Sequence, residues 1–185
     1  GGKILFVEGP SDKIIVERWL KLNLGDLGDR LEIQELGGCG KIGEEFARPM
    51  FVNYAENIFF LLDSDGEGTH KPLGSGIQER LRWFENNKIE QYYVLKRREL
   101  ENYIGHDAIA SVANIHPSRI RPISGSEHYS DLKAATKGAL GYYDEKKISV
   151  GAYSQLPSDS QKHLFGDENT VLLERIKQFL DLGSA

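Results

Sequence analysis

Residues 58–68, IFFLLDSDGEG, are the stretch of sequence that decides the fold of this chain. Five consecutive apolar residues, 58–62, have the length and composition of a strand that is buried on both faces of a sheet. A polar turn containing Asp63 and Asp65 follows and ends the strand. Asp-Gly turns are common in proteins, but an acidic pair directly after a buried strand favours a metal site at the end of that strand.

Strands alternate with helices on both sides of this stretch. Apolar runs bounded by polar turns predict four strands, at residues 3–7, 31–36, 58–62 and 92–95. Apolar residues at helical spacing predict helices at residues 13–24, 42–54 with a bend at Pro49, and 77–84, and a further helix at 99–104. Ser11 or Asp12 is the predicted cap of the first helix. The alternation predicts an α/β fold with a mainly parallel sheet flanked by helices.

The alternation stops at Gly105, which divides the chain into two predicted parts. Residues 1–105 are the predicted core, and residues 106–185 are a predicted helical and loop extension that packs on it. A final amphipathic helix is predicted at residues 170–182. The chain opens with two glycines and no methionine, so we expect it to be a fragment of a longer protein.

Composition bears on location and partners. No apolar run has the length of a transmembrane helix, which predicts no membrane partner. The single Cys39 cannot form an internal disulfide, so we expect a reducing, cytoplasmic location. The net charge of −5 disfavours nucleic acid at first. However, 28 acidic residues less the six assigned below to one site leave 22, against 23 basic residues, so charge is neutral on this point.

Three acidic pairs each follow a predicted strand: Glu8 with Asp12, Asp63 with Asp65, and Glu99 with Glu101. The carboxyl ends of parallel strands meet at one edge of a sheet, so the pairs are expected to converge there. Carboxylates without histidine or cysteine favour the hard ions Mg²⁺ and Mn²⁺. Each pair alone is also explained by a turn, a helix cap or the acidic first turn of a helix; the joint pattern is the more specific signal.

Four segments resemble a known family. VEGPSD at residues 7–12 and LLDSDGEG at residues 61–68 match the marks of a Toprim domain, a glutamate after the first strand and an Asp-x-Asp after a later one. With GGCGK at residues 37–41 and KRRELENYI at residues 96–104, they resemble most closely the OLD (overcoming lysogenization defect) family. The resemblance is strong over residues 3–104 and weak thereafter.

The resemblance implies a Toprim-like fold and a metal-dependent DNA endonuclease. It implies two Mg²⁺ or Mn²⁺ ions for phosphodiester hydrolysis, held by Glu8, Asp12, Asp63, Asp65, Glu99 and Glu101, with Glu8 and Asp63 central to catalysis. It also implies an N-terminal ABC-type ATPase in the full-length protein and a role in phage defence. The segment GGCGK lacks the spacing of a phosphate-binding P-loop, so this chain is not expected to bind ATP itself.

Basic residues complete the predicted site. Nucleases of the family use a lysine late in the domain to stabilise charge on the phosphate. Lys147 is the prediction for this role, with Lys146 beside it and Lys162 as alternatives, although surface lysines are usually only solvated. Contacts with DNA phosphates are predicted for Lys41, Lys96, Arg97 and Arg98.

Two other functions compete with the nuclease. LLDSDGEGT resembles the signature of haloacid-dehalogenase-like phosphatases, in which the first aspartate is the nucleophile, and a phosphate-accepting receiver domain is similar. That motif follows the third predicted strand instead of the first, and Glu67-Gly68 is inserted before Thr69. The other rival is a Toprim fold without catalysis that serves as a DNA-binding module; the complete acidic set disfavours it.

Overall fold

The computed structural model describes residues 2–37 and 47–182. A four-stranded, all-parallel sheet lies at the centre of this part of the chain, with the strand order β2-β1-β3-β4. The strands are β1 (Lys3–Val7), β2 (Leu31–Glu35), β3 (Ile58–Leu62) and β4 (Tyr92–Val94). The α/β class, the parallel sheet and the flanking helices are therefore confirmed, and the architecture is consistent with a Toprim-like core.

Nine α-helices surround the sheet in the described residues. They are α1 (Pro10–Leu24), α2 (Ala47–Asn53), α3 (Ser75–Asn86), α4 (Glu101–Ile104), α5 (His106–Ala113), α6 (Leu132–Leu140), α7 (Gly151–Gln155), α8 (Ser158–Lys162) and α9 (Asn169–Asp181). A π-helical turn, Lys146–Val150, leads into α7. None of these helices is long and apolar enough to cross a membrane.

The predicted cap of the first helix was wrong. Gly9 is the N-cap of α1, and Ser11 and Asp12 lie inside its first turn. Pro10 can occupy the first helical position because the N–H that it lacks would have no partner within the helix. The Asp12 carboxylate instead accepts a hydrogen bond from the Gly9 N–H at 2.9 Å, which turns this side chain towards the end of β1.

The sheet separates two apolar layers because alternate strand residues point to opposite faces. Leu5 and Phe59 share a core with the buried faces of α1 and α9, and Phe59 lies 5.5 Å from Phe179 between ring centroids. Phe60, on the other face, packs on α3 with its ring 4.8 Å from that of Phe84. The result is a three-layer α/β/α arrangement of helices on both faces of the sheet.

The C-terminal part of the chain is anchored to the sheet layer by buried contacts. The Trp19 indole N–H donates to Asn169 Oδ1 at 2.8 Å, and its ring lies 4.8 Å from that of Phe165. One apolar core thus continues across residue 105, the predicted boundary between core and extension.

Glu168 forms the most connected of these anchors. Its carboxylate is buried and accepts hydrogen bonds from the Tyr93 hydroxyl at 2.9 Å, the Lys96 N–H at 3.0 Å and the Tyr103 hydroxyl. Burial and these hydrogen bonds raise the pKa of both tyrosines. A charge from the last third of the chain therefore fixes the segment that follows β4.

We expect Glu168→Ala to lower the free energy of unfolding by about 3 kcal/mol, because three donors, the Tyr103 hydroxyl buried and the other two partly buried, lose their acceptor. Guanidinium denaturation measures the loss. Asp167→Ala, at the exposed neighbouring position, is the matched control and should change stability by less than about 0.5 kcal/mol. Equal effects of the two substitutions would contradict the role given to Glu168.

Candidate metal centre

Five of the six predicted acidic ligands meet at the carboxyl edge of the sheet. Glu8 follows β1 and Asp63 follows β3, while Glu99 and Glu101 lie at the start of α4, beyond β4. Asp12 reaches the same place from the first turn of α1. Their convergence follows from topology, because β1 and β3 are neighbours in the sheet and β4 pairs with β3.

A small cavity lies between three of these carboxylates. Its volume is about 10 Å³, close to the space that one buried water or one small ion fills. Glu8, Asp12 and Asp63 supply its polar wall, and apolar side chains close the remainder: Val7, Val16, Leu61, Leu95 and Leu100. The apolar wall keeps bulk water away and so strengthens any charge interaction inside.

Burial and mutual repulsion weaken the acidity of the carboxyl groups. Burial, followed by the charge of Glu101, raises the pKa of Asp12 to about 7. The same two causes raise the pKa of Glu99 to about 8. Burial and then the charges of Asp12 and Glu8 raise the pKa of Asp63 well above its usual range. The positive charge of the neighbouring side chains is therefore too small to keep all of these carboxyl groups ionised at neutral pH.

Three carboxylate oxygens in the cluster are buried without a hydrogen-bond partner: Asp12 Oδ1, Glu99 Oε1 and Glu101 Oε2. Glu101 is fully buried, and Asp12 is 6 % exposed. A buried oxygen without a donor is costly, and carboxylate oxygens are the ligands that Mg²⁺ and Mn²⁺ prefer. The donor set thus fits a hard divalent cation.

Two basic side chains offset part of the negative charge. Arg80, on α3, donates from Nη1 to Glu8 Oε1 at 3.2 Å, and both groups are largely buried. Lys133, at the second position of α6, lies within 3.8 Å of Glu99, 3.6 Å of Glu101 and 3.4 Å of Glu145.

Lys133 and Glu145 are the site residues that the sequence prediction missed. Burial acts to lower the pKa of Lys133, but the charges of Glu101, Glu99 and Asp12 outweigh it and raise that pKa. The side chain is therefore a fixed cation at neutral pH. One signal was present in the sequence: a lysine in the first turn of a helix is disfavoured by the helix dipole and needs an acidic partner.

Glu101 is held from the C-terminal part of the chain as well. The Ser149 hydroxyl donates to Glu101 Oε1 at 2.7 Å, and Tyr143 is within hydrogen-bond distance of Ser149 at 2.9 Å. Glu145 Oε2 accepts a weak hydrogen bond from Ser11 at 3.5 Å, beside the first turn of α1. Residues from both predicted parts of the chain thus build one site.

Among the described residues, Asp65 neither lines the cavity nor pairs with the two basic side chains that contact the other carboxylates. Its backbone has a φ of 49°, in the left-handed region, and its N–H donates to the Arg98 carbonyl. A Cβ on Gly74 would lie 2.8 Å from the Asp65 carbonyl oxygen, so only glycine fits there. The loop that carries Asp65 is tightly built, and its role as a ligand stays a prediction.

The predicted basic residues lie in different settings. Arg97 stacks on Tyr103 at 4.7 Å, and Arg98 pairs with Asp131 at 3.2 Å, so both guanidinium groups stabilise the loop after β4. Lys96 is exposed. The predicted contact at Lys41 lies outside the described residues.

The predicted catalytic lysine, Lys147, forms no ion pair with the carboxylates of the site among the described residues. Lys147 and Lys146 are exposed in the π-helical turn, and the alternative, Lys162, is exposed at the end of α8. Among the described residues, Lys133 is the lysine that forms ion pairs with the predicted ligands. The tertiary position of α6, which local sequence does not specify, accounts for this difference.

No three histidine, cysteine, aspartate or glutamate side chains in the described ranges already stand in a coordination arrangement. Comparison of the chain with protein-family models, curated proteins and solved structures found no match. Any functional conclusion therefore depends on the chemistry of the site.

Proposed function

We propose that this chain is a metal-dependent nuclease that hydrolyses phosphodiester bonds in DNA. The observation that carries the proposal is the set of buried carboxylate oxygens without donors, on Asp12, Glu99 and Glu101, at the carboxyl edge of a parallel sheet. A purely structural cluster of this kind would be stabilised by hydrogen bonds or by loss of its acids. Five acidic side chains gathered at one edge, with raised pKa values at Asp12, Asp63 and Glu99, are the pattern expected of a cation site.

Mg²⁺ or Mn²⁺ would be held by the carboxylates that line the cavity and by the free oxygens beside it: Glu8, Asp12, Asp63, Glu99 and Glu101. Asp65 remains a predicted further ligand. The bound ion would supply Lewis-acid activation of water and of the phosphate. The apolar wall of the cavity excludes competing water, and Arg80 fixes the orientation of Glu8.

Lys133 is our proposed phosphate-stabilising lysine, in place of Lys147. Its ammonium is partly exposed and pairs with Glu99 and Glu101, so it would lie beside a phosphate held at these carboxylates. The exposed Lys96 is the proposed contact with the DNA backbone next to this edge. The N-terminal ATPase partner and the role in phage defence rest on the resemblance to the OLD family.

The test is incubation of supercoiled plasmid with the protein in Mg²⁺, Mn²⁺, Ca²⁺ or chelator. We expect nicked or linear DNA with Mg²⁺ and Mn²⁺ and none in chelator, because water activation depends on the ion. Glu85→Gln, at an exposed position on α3, is the control for loss of one acidic side chain and should cleave like the wild type.

Two results would reject the nuclease. Hydrolysis of p-nitrophenyl phosphate with no plasmid cleavage would favour a haloacid-dehalogenase-like phosphatase with Asp63 as nucleophile. Retarded migration of DNA with neither activity would favour a non-catalytic binding module. DNA cleavage that persists in chelator would show that the reaction needs no divalent ion.

A further inference from the structure

The carboxylate oxygens at the site divide into two groups with different surroundings. The inner group comprises the cavity-lining acids Glu8, Asp12 and Asp63, with the partnerless oxygens Glu99 Oε1 and Glu101 Oε2. The outer group comprises Glu99 Oε2, Glu101 Oε1 and Glu145 Oε1, all within 3.8 Å of the Lys133 ammonium. Glu99 and Glu101 therefore each have one oxygen paired with Lys133 and one buried oxygen without a hydrogen-bond partner.

We propose that Lys133 is a built-in cation that occupies the second cation position of this site, so that the chain binds one divalent ion instead of two. The ion takes the inner oxygens and the Lys133 ammonium takes the outer ones. This inference rests on the proposed metal site and differs from the two ions that the OLD resemblance implies.

The position of Lys133 is fixed by its own helix. Asp131 caps α6 by accepting the Ala134 N–H at 2.8 Å, and its other oxygen pairs with Arg98 at 3.2 Å. Leu132 is buried in the core, which sets the rotation of the helix. Because α6 is held at both its cap and its apolar face, the backbone that carries Lys133 is already ordered. Pairing of the ammonium with the outer oxygens therefore costs little further backbone entropy.

The outer oxygens are poorly available to a second ion. Glu101 Oε1 already accepts the Ser149 hydroxyl at 2.7 Å, and a divalent ion there would lie in direct contact with the lysine ammonium. Like charges a few ångströms apart repel strongly where water is scarce. Within the inner group, Glu8 Oε1 pairs with Arg80 at 3.2 Å, whereas Asp12 Oδ1, Glu99 Oε1 and Glu101 Oε2 are buried without a hydrogen-bond partner. The cavity lined by Glu8, Asp12 and Asp63 has room for a single small ion.

The experiment measures Mn²⁺ binding by isothermal titration calorimetry and by electron paramagnetic resonance, with no DNA present. We expect one Mn²⁺ per chain in the wild type and two in Lys133→Met, which keeps an unbranched side chain one atom shorter, removes the charge and frees the outer oxygens. Lys137→Met, at an exposed position on the same helix, should bind one. Asp12→Asn should lose the single ion.

The electron paramagnetic resonance spectrum of the wild type tests the inference without any variant, so this part of the test does not depend on whether the variants fold. Two ions in a shared site lie about 3.5–4 Å apart and interact magnetically, so a spin-interacting Mn²⁺ pair in the wild type would overturn the inference. One ion in folded Lys133→Met would overturn it too. Wild-type protein that binds no Mn²⁺ would reject both this inference and the metal of the proposed nuclease, whereas one bound ion without plasmid cleavage would reject the nuclease alone.

Discussion

Replacing Asp63 by asparagine should stabilise the metal-free protein at pH 8 and at the same time lower plasmid cleavage by at least about a thousandfold. Asp63 is buried among four other carboxylates, and burial and their charges raise its pKa well above the usual range. Its ionised form is therefore a cost to the fold. The asparagine amide removes that charge and can donate to a neighbouring carboxylate, which we expect to add about 2 kcal/mol to the free energy of unfolding.

The same substitution removes a central ligand from the proposed site. A thousandfold loss of rate corresponds to about 4 kcal/mol of transition-state stabilisation, which is a reasonable loss for a metal ligand. Chemical denaturation in chelator and plasmid cleavage in Mn²⁺ measure the two effects on one preparation. Glu85→Gln should change neither. An inactive but destabilised Asp63→Asn protein would indicate that Asp63 holds the fold instead of serving the site.

In chelator, the free energy of unfolding should fall by at least about 4 kcal/mol as the pH rises from 4 to 8. Asp12 and Glu99 have folded-state pKa values of about 7 and about 8, above those of an unfolded chain. Between pH 4 and pH 8 the unfolded chain releases these protons first, so ionisation favours unfolding until the folded groups also titrate. A rise of about three units in the pKa of a single carboxyl group on folding corresponds to about 4 kcal/mol of the free energy of unfolding.

Saturating Mg²⁺ or Mn²⁺ should abolish this fall, because the ion binds the ionised carboxylates of the folded protein. Urea denaturation at pH 4, 6 and 8, with and without metal, measures the difference. Glu99→Gln is the internal control. It removes one of the titrating groups, so the free energy of unfolding without metal should fall less with rising pH than it does in the wild type. A wild-type profile that stays flat in chelator would mean that the carboxylates are not buried together.

The sequence was sufficient to predict the parts of the site that follow from strand order. In a parallel sheet the residue after each strand lies at the same edge, so Glu8 and Asp63 could be placed together from the positions of their strands alone. The buried run before Asp63 is apolar throughout, and its observed bounds, Ile58–Leu62, match the prediction. Strand positions and the residues that follow them depend on local sequence patterns, so they can be predicted from the sequence.

The parts that the sequence did not predict depend on how helices far along the chain pack. Lys133 reaches Glu101 because α6 docks beside α4, and no periodicity within α6 specifies that docking. Lys147, the lysine predicted from the sequence, is exposed in the π-helical turn. Asp12 was predicted as a helix cap and a ligand; Gly9 is the cap because proline can begin the helix one residue later.

The long separation between the carboxylates and their ammonium has a consequence for synthesis. The acidic edge is complete in sequence at Glu101, and Lys133 follows 32 residues later (133 minus 101). Domains fold as they emerge from the ribosome where they can, but here Arg80 offsets only part of the negative charge at the edge of the sheet until α6 has been made. The sheet and its helical partner should therefore consolidate together late in translation, and a ribosome stalled between these two positions should hold a chain that proteases still cut.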